Sequence, residues 1–293
     1  MLTGVYRWID DNILELGREM RLSFLPPLMV YMAAGVSGLT GIVGTFFVKE
    51  YLGLPASFLA ALGFWAGIPW ALKMPLGHLV DLIWRWKSGL IYLGAGLIAA
   101  SLLIMVGLLG DPTAMAAIMP AEAWFVLSTL LAPVGYVTQD AVADAMTVEA
   151  VPRVDENGAP IDAATRKLMN TTMQTLGRVA IIGGSVLVAF INLYLFAGVH
   201  RLPPAEIALI YRNVYLMALA IPLVSVLGVL SAMLIRQKSV RLLRLRGYSR
   251  QEIKAMLSPR GEPTPVNWWI LGGSLLFVAF TLAVGLGGMP YSE

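Results

Sequence analysis

The sequence predicts an all-α polytopic membrane protein with seven transmembrane helices and a cytoplasmic N-terminus. Three observations carry this. Of 293 residues, 58% are hydrophobic and only 13% charged, and mean hydropathy is +0.74, whereas a soluble domain carries about a quarter charged residues. Seven charge-free stretches follow one another, at 22–48, 51–72, 88–110, 123–139, 179–199, 213–235 and 263–292. All but the fourth exceed the roughly 18 residues of a spanning segment, and the fourth runs on into a mixed stretch. Lys and Arg, finally, alternate in abundance from loop to loop.

That alternation sets the topology. Arg7, Arg18 and Arg21 precede helix 1, Arg85 and Lys87 follow helix 2, and Arg153, Arg166 and Lys167 follow helix 4. Arg236, Lys238, Arg241, Arg244, Arg246, Arg250, Lys254 and Arg260 follow helix 6, against Lys49, Arg201 and Arg212 on the other side. By the positive-inside rule the richer side is cytoplasmic. The pI near 9.2 therefore has a topological cause and implies no nucleic-acid partner. The first apolar run is too long for a signal-peptide core and lacks a small-residue exit, so it is expected to remain as helix 1 of an inner-membrane protein. With no cysteine, disulfides and thiolate metal sites are excluded.

Residues 4–23, "GVYRWIDDNILELGREMRLS", set Val5, Ile9, Ile13, Leu16 and Met20 near helical spacing with acids opposite. A short interfacial helix over 1–23 is expected. Helix 1 carries Gly35, Gly38, Gly41 and Gly44 at three-residue steps, which suits close approach of another helix. Helix 2 ends in "IPWALKMPLGHLVD", where Pro69 and Pro75 each remove a backbone hydrogen bond and predict a kink. Trp84, Trp86, Trp268 and Trp269 fall at inner boundaries, as an aromatic belt would place them. A six-helix bundle over 24–235, a basic cytoplasmic connection over 236–267 and a seventh helix over 268–293 complete the organisation. Within the connection, "SRQE" has the form of a capping box and "PRGEPTP" of a linker.

Charges inside the spans mark the candidate site. Asp140 and Asp144 lie one turn apart on helix 4, Arg178 lies in helix 5 and Lys73 in helix 2. With helix 4 leaving the membrane near Ala150 and helix 5 entering near Leu168, Asp140 and Arg178 lie about 15 Å deep, and Lys73 about 12 Å. Consecutive antiparallel helices allow Asp140 to face Arg178. Isolated charges at such depth cost about 2.5–3.5 kcal/mol or more, so they pair or line a wet cavity. Two readings stay open: a neutralised cluster that locks helices together, and a polar site for a substrate or a coupling proton. Helices 3 and 6, free of charge, are expected to face lipid. The short loop "GHLVDLIWRWK" holds Asp81, Arg85 and Lys87, suited either to an ordinary charged loop or to a conformational tie.

Gly77, Asp81 and Arg85 resemble the signature loop of the major facilitator superfamily, and six helices followed by a long cytoplasmic connection match its half-way point. More narrowly, "IPWALKMPLGHLVD" and "QDAVADAMTVE" resemble the folate–biopterin transporter family. Its helix 2 reads Ile-Pro-Trp, then Lys-Pro-Leu-x-Gly and a closing Asp; its helix 4 reads Asp-x-x-x-Asp-Ala, then Val-Glu. Ile68, Pro69, Trp70, Lys73, Gly77 and Asp81 match by position, as do Asp140, Asp144, Ala145, Val148 and Glu149. Arg178 in "LGRVAIIGG" is similar to an arginine before glycines in that family's helix 5. The chain departs at Met74, where the family has proline and Pro75 is displaced by one, and "IWRWK" lacks the usual arginine run. The resemblance covers roughly residues 24 to 200.

The resemblance implies a major-facilitator-like fold of two six-helix bundles working by alternating access, with substrate between them. This chain supplies one bundle plus one helix, so the second half is expected to be missing from it or to come from another chain. The implied function is secondary, proton-coupled transport of a small anion of the folate or pterin kind. Lys73 and Arg178 would attract the anion, Asp140 or Asp144 would carry the proton, and Gly77, Asp81 and Arg85 would gate. The alternative is a non-transporting accessory or assembly subunit, such as those resembling this fold that serve light-harvesting complexes. An enzyme is disfavoured, since His78 and His200 fall on opposite sides and no nucleophile or metal spacing appears. A seven-helix receptor conflicts with the cytoplasmic N-terminus. No cofactor is implied.

Overall fold

The computed structural model describes residues 20–47, 52–155, 159–257 and 265–288. Residues 1–19 of the expected interfacial helix over 1–23, and most of the "PRGEPTP" linker, lie outside them. Among the described residues the secondary structure is helical apart from one isolated bridge, Val154 with Pro160. Six helices are long and apolar enough to cross a membrane: α1 (Leu22–Phe47), α2 (Ala56–Leu82), α3 (Trp84–Gly110), α4 (Ala121–Ala150), α5 (Ala163–Leu195) and α6 (Pro204–Leu245). A seventh apolar helix, α7 (Trp268–Gly288), follows. Its described apolar stretch, Trp268–Val284, is shorter than those of the six. The chain is thus a polytopic membrane protein.

Three of the spans are interrupted, two of them beside prolines. α2 breaks at Leu72, between Ala56–Ala71 and Lys73–Leu82. Pro75 has no N–H to give the carbonyl of Ala71, so the ladder is interrupted where the two prolines predicted it. α6 breaks at Leu219, three residues before Pro222, by the same logic. α1 tightens into a 3₁₀ turn over Ser37–Thr40.

α3 and α4 make the most extensive pair, followed by α5 on α1 and α6 on α1 and α3. The α3–α4 crossing is backbone against backbone. A Cβ at Gly94 would sit 2.7 Å from the carbonyl oxygen of Gly135, and one at Gly135 would sit 2.6 Å from that of Gly94. Polar bonds pin the same interface. Gln139 donates from Nε2 to the carbonyl of Ile91 at 3.2 Å and accepts from Ser225 of α6 at 2.9 Å. The Ser101 and Ser128 hydroxyls each donate to the other's backbone carbonyl at 2.8 and 3.0 Å. Such bonds hold helices whose apolar faces gain nothing over lipid.

Helices 3 and 6 keep exposed apolar faces, through Leu93 and Leu103 on α3 and Leu223, Leu227 and Leu234 on α6, and the expectation that they face lipid is corrected for the opposite face of each. Ile91, Ala95, Ile98, Leu102, Met105 and Leu108 of α3 are buried in the bundle, and Val214, Tyr215, Ala218 and Ile221 of α6 join the same core. A helix without charge is compatible with lipid and with other helices alike; here α3 is a central helix. Helix 1's glycines also divide. Three-residue steps turn each successive residue back by roughly 60° around an α-helix, so the four fan out. Only Gly35 meets a backbone, where a Cβ would overlap the Ile181 carbonyl of α5; Gly41 meets nothing within 4 Å. The partner surface on α5 is Gly184, whose Cβ would lie 2.9 Å from Gly35.

Beyond α6 the expected basic connection begins as helix, since α6 continues through Leu245. The chain turns at Gly247, whose φ of 88° suits glycine. It re-enters a helix at Arg250–Leu257. Ser249 and Glu252 form the predicted capping box: the Ser249 N–H donates to Glu252 at 2.7 Å and the Glu252 N–H to Ser249 Oγ at 3.3 Å. Trp86, Trp268 and Trp269 are exposed, while Trp84 lies beneath the Lys87 ammonium at 4.2 Å.

Candidate functional site

The break in α2 makes Lys73 the first residue of its lower half, which packs on α4. The Lys73 ammonium pairs with Asp140 and reaches Asp144 Oδ2 at 3.1 Å. The two carboxylates share a helix face because they are four residues apart. Burial is unequal: the side chain of Asp140 is 9% exposed, that of Lys73 39% and that of Asp144 50%. The triad is closed on the Asp140 side and open on the Asp144 side.

A fourth group belongs to it that the sequence reading missed. Tyr31 of α1, itself buried, donates its hydroxyl to Asp144 Oδ1 at 2.6 Å. Its ring lies against Gly177 of α5, where a Cβ would come within 2.8 Å. A tyrosine inside an apolar span needs a partner for its hydroxyl, and that was the available signal.

Arg178 is placed differently. It is exposed, near the middle of α5, and forms no ion pair or hydrogen bond with a described residue. α5 docks mainly on α1 and little on α4, so α1, through Tyr31, stands where Arg178 was expected to face Asp140. Consecutive helices need not be neighbours once small residues on α1 and α5 allow closer packing elsewhere.

At the basic end of the bundle Gly77 has open space where a Cβ would be, Asp81 is half-buried and Arg85 is exposed. Lys87, counted in the sequence as a loop charge, is instead buried and pairs with Glu149 at 2.6 Å, joining α3 to the end of α4. His78 is also buried; its Nε2 accepts the backbone N–H of Asn267 at 2.9 Å, tying α2 to the start of α7. Among the described residues no three His, Asp or Glu side chains gather as a metal site.

The chain is similar to the protein described as "Folate-biopterin transporter" of Synechocystis sp. (strain ATCC 27184 / PCC 6803 / Kazusa), with 35% identity over 98 residues. The match covers 30% of this chain and 19% of that relative's length. No protein-family profile matches the chain, and no solved structure matches it.

Proposed function

We propose that this chain is part of a secondary transporter of a small anionic solute, folate- or pterin-like in chemistry, coupled to protons and working by alternating access in the cell membrane. The observation that carries the reading is the Lys73–Asp140–Asp144 triad, half open inside the apolar spans α2 and α4. Charge left open at that depth faces water or other protein rather than acyl chains. The similarity to the Synechocystis folate-biopterin transporter supports the solute class. Arg178 and Lys73 supply the cations an anion would meet. An anion drawn to Lys73 competes with the carboxylates, and a carboxylate that loses its cation takes up a proton more readily. That exchange is a chemical route to symport. Gly77, Asp81 and Arg85, at the basic end of α2, are the gate in this reading, and that end is cytoplasmic.

The test is uptake of labelled folate, pterin and related anions into proteoliposomes carrying an imposed pH gradient. Arg178→Ala and Asp140→Asn should collapse uptake while the protein inserts normally. If the unaltered protein moves no anion of the panel and a membrane protein co-purifies in fixed ratio, the accessory-subunit reading replaces this one.

A further inference from the structure

Where α4 hands over to α5, the chain makes a small hairpin. The N–H of Ile161 donates to the Arg153 carbonyl at 2.9 Å and that of Asp155 to the Ala159 carbonyl at 2.9 Å. The hairpin leaves a groove of about 330 Å³ between the two helix ends, lined by Val148, Val151, Arg153, Arg166, Lys167 and Asn170. Three cations and an amide converge there, and no acid lines it. Three nearby carboxylates are engaged: Glu149 holds Lys87, Asp155 accepts the Ala159 N–H at 2.8 Å, and Asp162 accepts from Thr165 at 2.9 and 2.6 Å. Arg166 is half-buried, and its Nε, itself buried, has no hydrogen-bond partner among the described residues.

A buried guanidinium N–H without an acceptor is a cost that a folded protein rarely leaves unmet. Arg166 and Asn170, one turn apart on α5, present donors to the same side, and Arg153 comes from across the groove. The positive end of the α5 dipole adds to the field. Guanidinium groups bind phosphate oxygens through two parallel hydrogen bonds. Val148 and Val151 add apolar wall to the groove.

We infer that this groove, set at the ends of α4 and α5 apart from the Lys73 triad, binds a phosphate oxyanion through Arg166, Arg153, Lys167 and Asn170. The phosphate can come from an anionic phospholipid headgroup or from solution. The chemistry is common to both, and the site does not depend on what the chain transports.

The experiment uses the full chain purified in detergent. Native mass spectrometry counts bound phosphatidylglycerol, with zwitterionic, net-neutral phosphatidylcholine and phosphate-free diacylglycerol as controls, and thermal unfolding is followed against inorganic phosphate. Expected is one tightly retained phosphatidylglycerol, or a saturable rise in melting temperature with phosphate, weakened about tenfold or more by Arg166→Gln. Arg166→Lys, which keeps the charge but loses the Nε donor, should weaken binding as well. Lys238→Gln, in the basic stretch of α6 and outside both basic grooves, should leave it unchanged. Lipid retention without a phosphate response assigns a headgroup; a phosphate response alone assigns a soluble anion. Should Arg166→Gln not fold, the exposed Arg153→Gln and Lys167→Gln carry the comparison. Binding equal in all these variants, or no binding of either probe, overturns the inference.

Discussion

The hydroxyl of Tyr31 on α1 is bonded to the same carboxylate, Asp144, that Lys73 reaches from α2. One acid on α4 therefore answers to two helices that approach it from different sides. Its two oxygens are divided between them, Oδ1 to the phenol and Oδ2 to the ammonium.

Tyr31→Phe keeps the ring against Gly177 and removes only the hydroxyl. The loss of one hydrogen bond to a charged acceptor should destabilise the protein by about 1–3 kcal/mol, read as a lower midpoint in denaturant unfolding. Anion uptake should weaken without vanishing, because Lys73 still holds Asp144. An unchanged midpoint would mean that the hydroxyl contributes nothing to holding α1 on α4.

Lys87 and Glu149 form a buried pair whose members are unequal, the lysine side chain 9% exposed and the glutamate 28%. Glu149→Gln strands the lysine charge and should cost up to about 3 kcal/mol. The partial exposure of Glu149 keeps the figure at or below the lower end for buried pairs. Lys87→Met should cost less, and the double variant Lys87→Met with Glu149→Gln should recover much of the loss. Strict additivity of the two single effects would show that the pair is not coupled.

Glycines on the two kinds of surface should respond differently to a single methyl. Gly94→Ala and Gly135→Ala drive a Cβ into facing backbone, and neither helix can retreat without opening the α3–α4 core, so both should express poorly or unfold early. Gly63→Ala and Gly77→Ala meet nothing within 4 Å, and alanine is the better helix former by about 1 kcal/mol. Both should be as stable as the unaltered chain or slightly more so. Gly77→Ala then isolates function: stability kept with uptake lost identifies a contact made only during transport, and uptake kept removes Gly77 from the gate.

The start of α5 carries an acid-labile element. Hydrogen bonds from the Thr165 side chain and backbone hold the Asp162 carboxyl below the ordinary aspartate range. With the folded value depressed, the cap is fully effective above the unfolded value of about 3.9 and is lost as pH falls through the lower, folded one. Hydrogen exchange at the Thr165 amide, corrected for its intrinsic rate, should accelerate in this acid window. Asp162→Asn, which still accepts but does not titrate, should abolish the pH dependence; a dependence that survives would place its origin elsewhere.

What could be read in the sequence was whatever depends on one helix at a time. The apolar runs, the α2 break between Pro69 and Pro75, the end of α4 at Ala150 and the Ser249–Glu252 box all follow from local composition. Lys73 beside Asp140 and Asp144 followed from depth, because charges at one level seek one another. The partner of each helix did not follow. α3 was assigned to lipid because it lacks charge, yet lipid and a neighbouring helix demand the same residues of it. Arg178 was assigned to Asp140 by chain order, and α1 intervenes because the Gly35–Gly184 crossing brings α5 onto α1. Lys87 read as a loop cation because its burial depends on Trp84 and Glu149, one of them 62 residues distant.

The interruption at Leu72 gives α2 the geometry of a lever. Below it lie the ten residues Lys73–Leu82, about 15 Å of helix. A tilt of about 20°, the size of an ordinary kink, would swing the far end by about 5 Å. Lys73, next to the fulcrum, would hardly leave its carboxylates, while Asp81 would travel most of the arc, up to the corner that the Lys87–Glu149 pair holds in place. Charge pairing at the short arm and displacement at the long arm are thereby built into one helix.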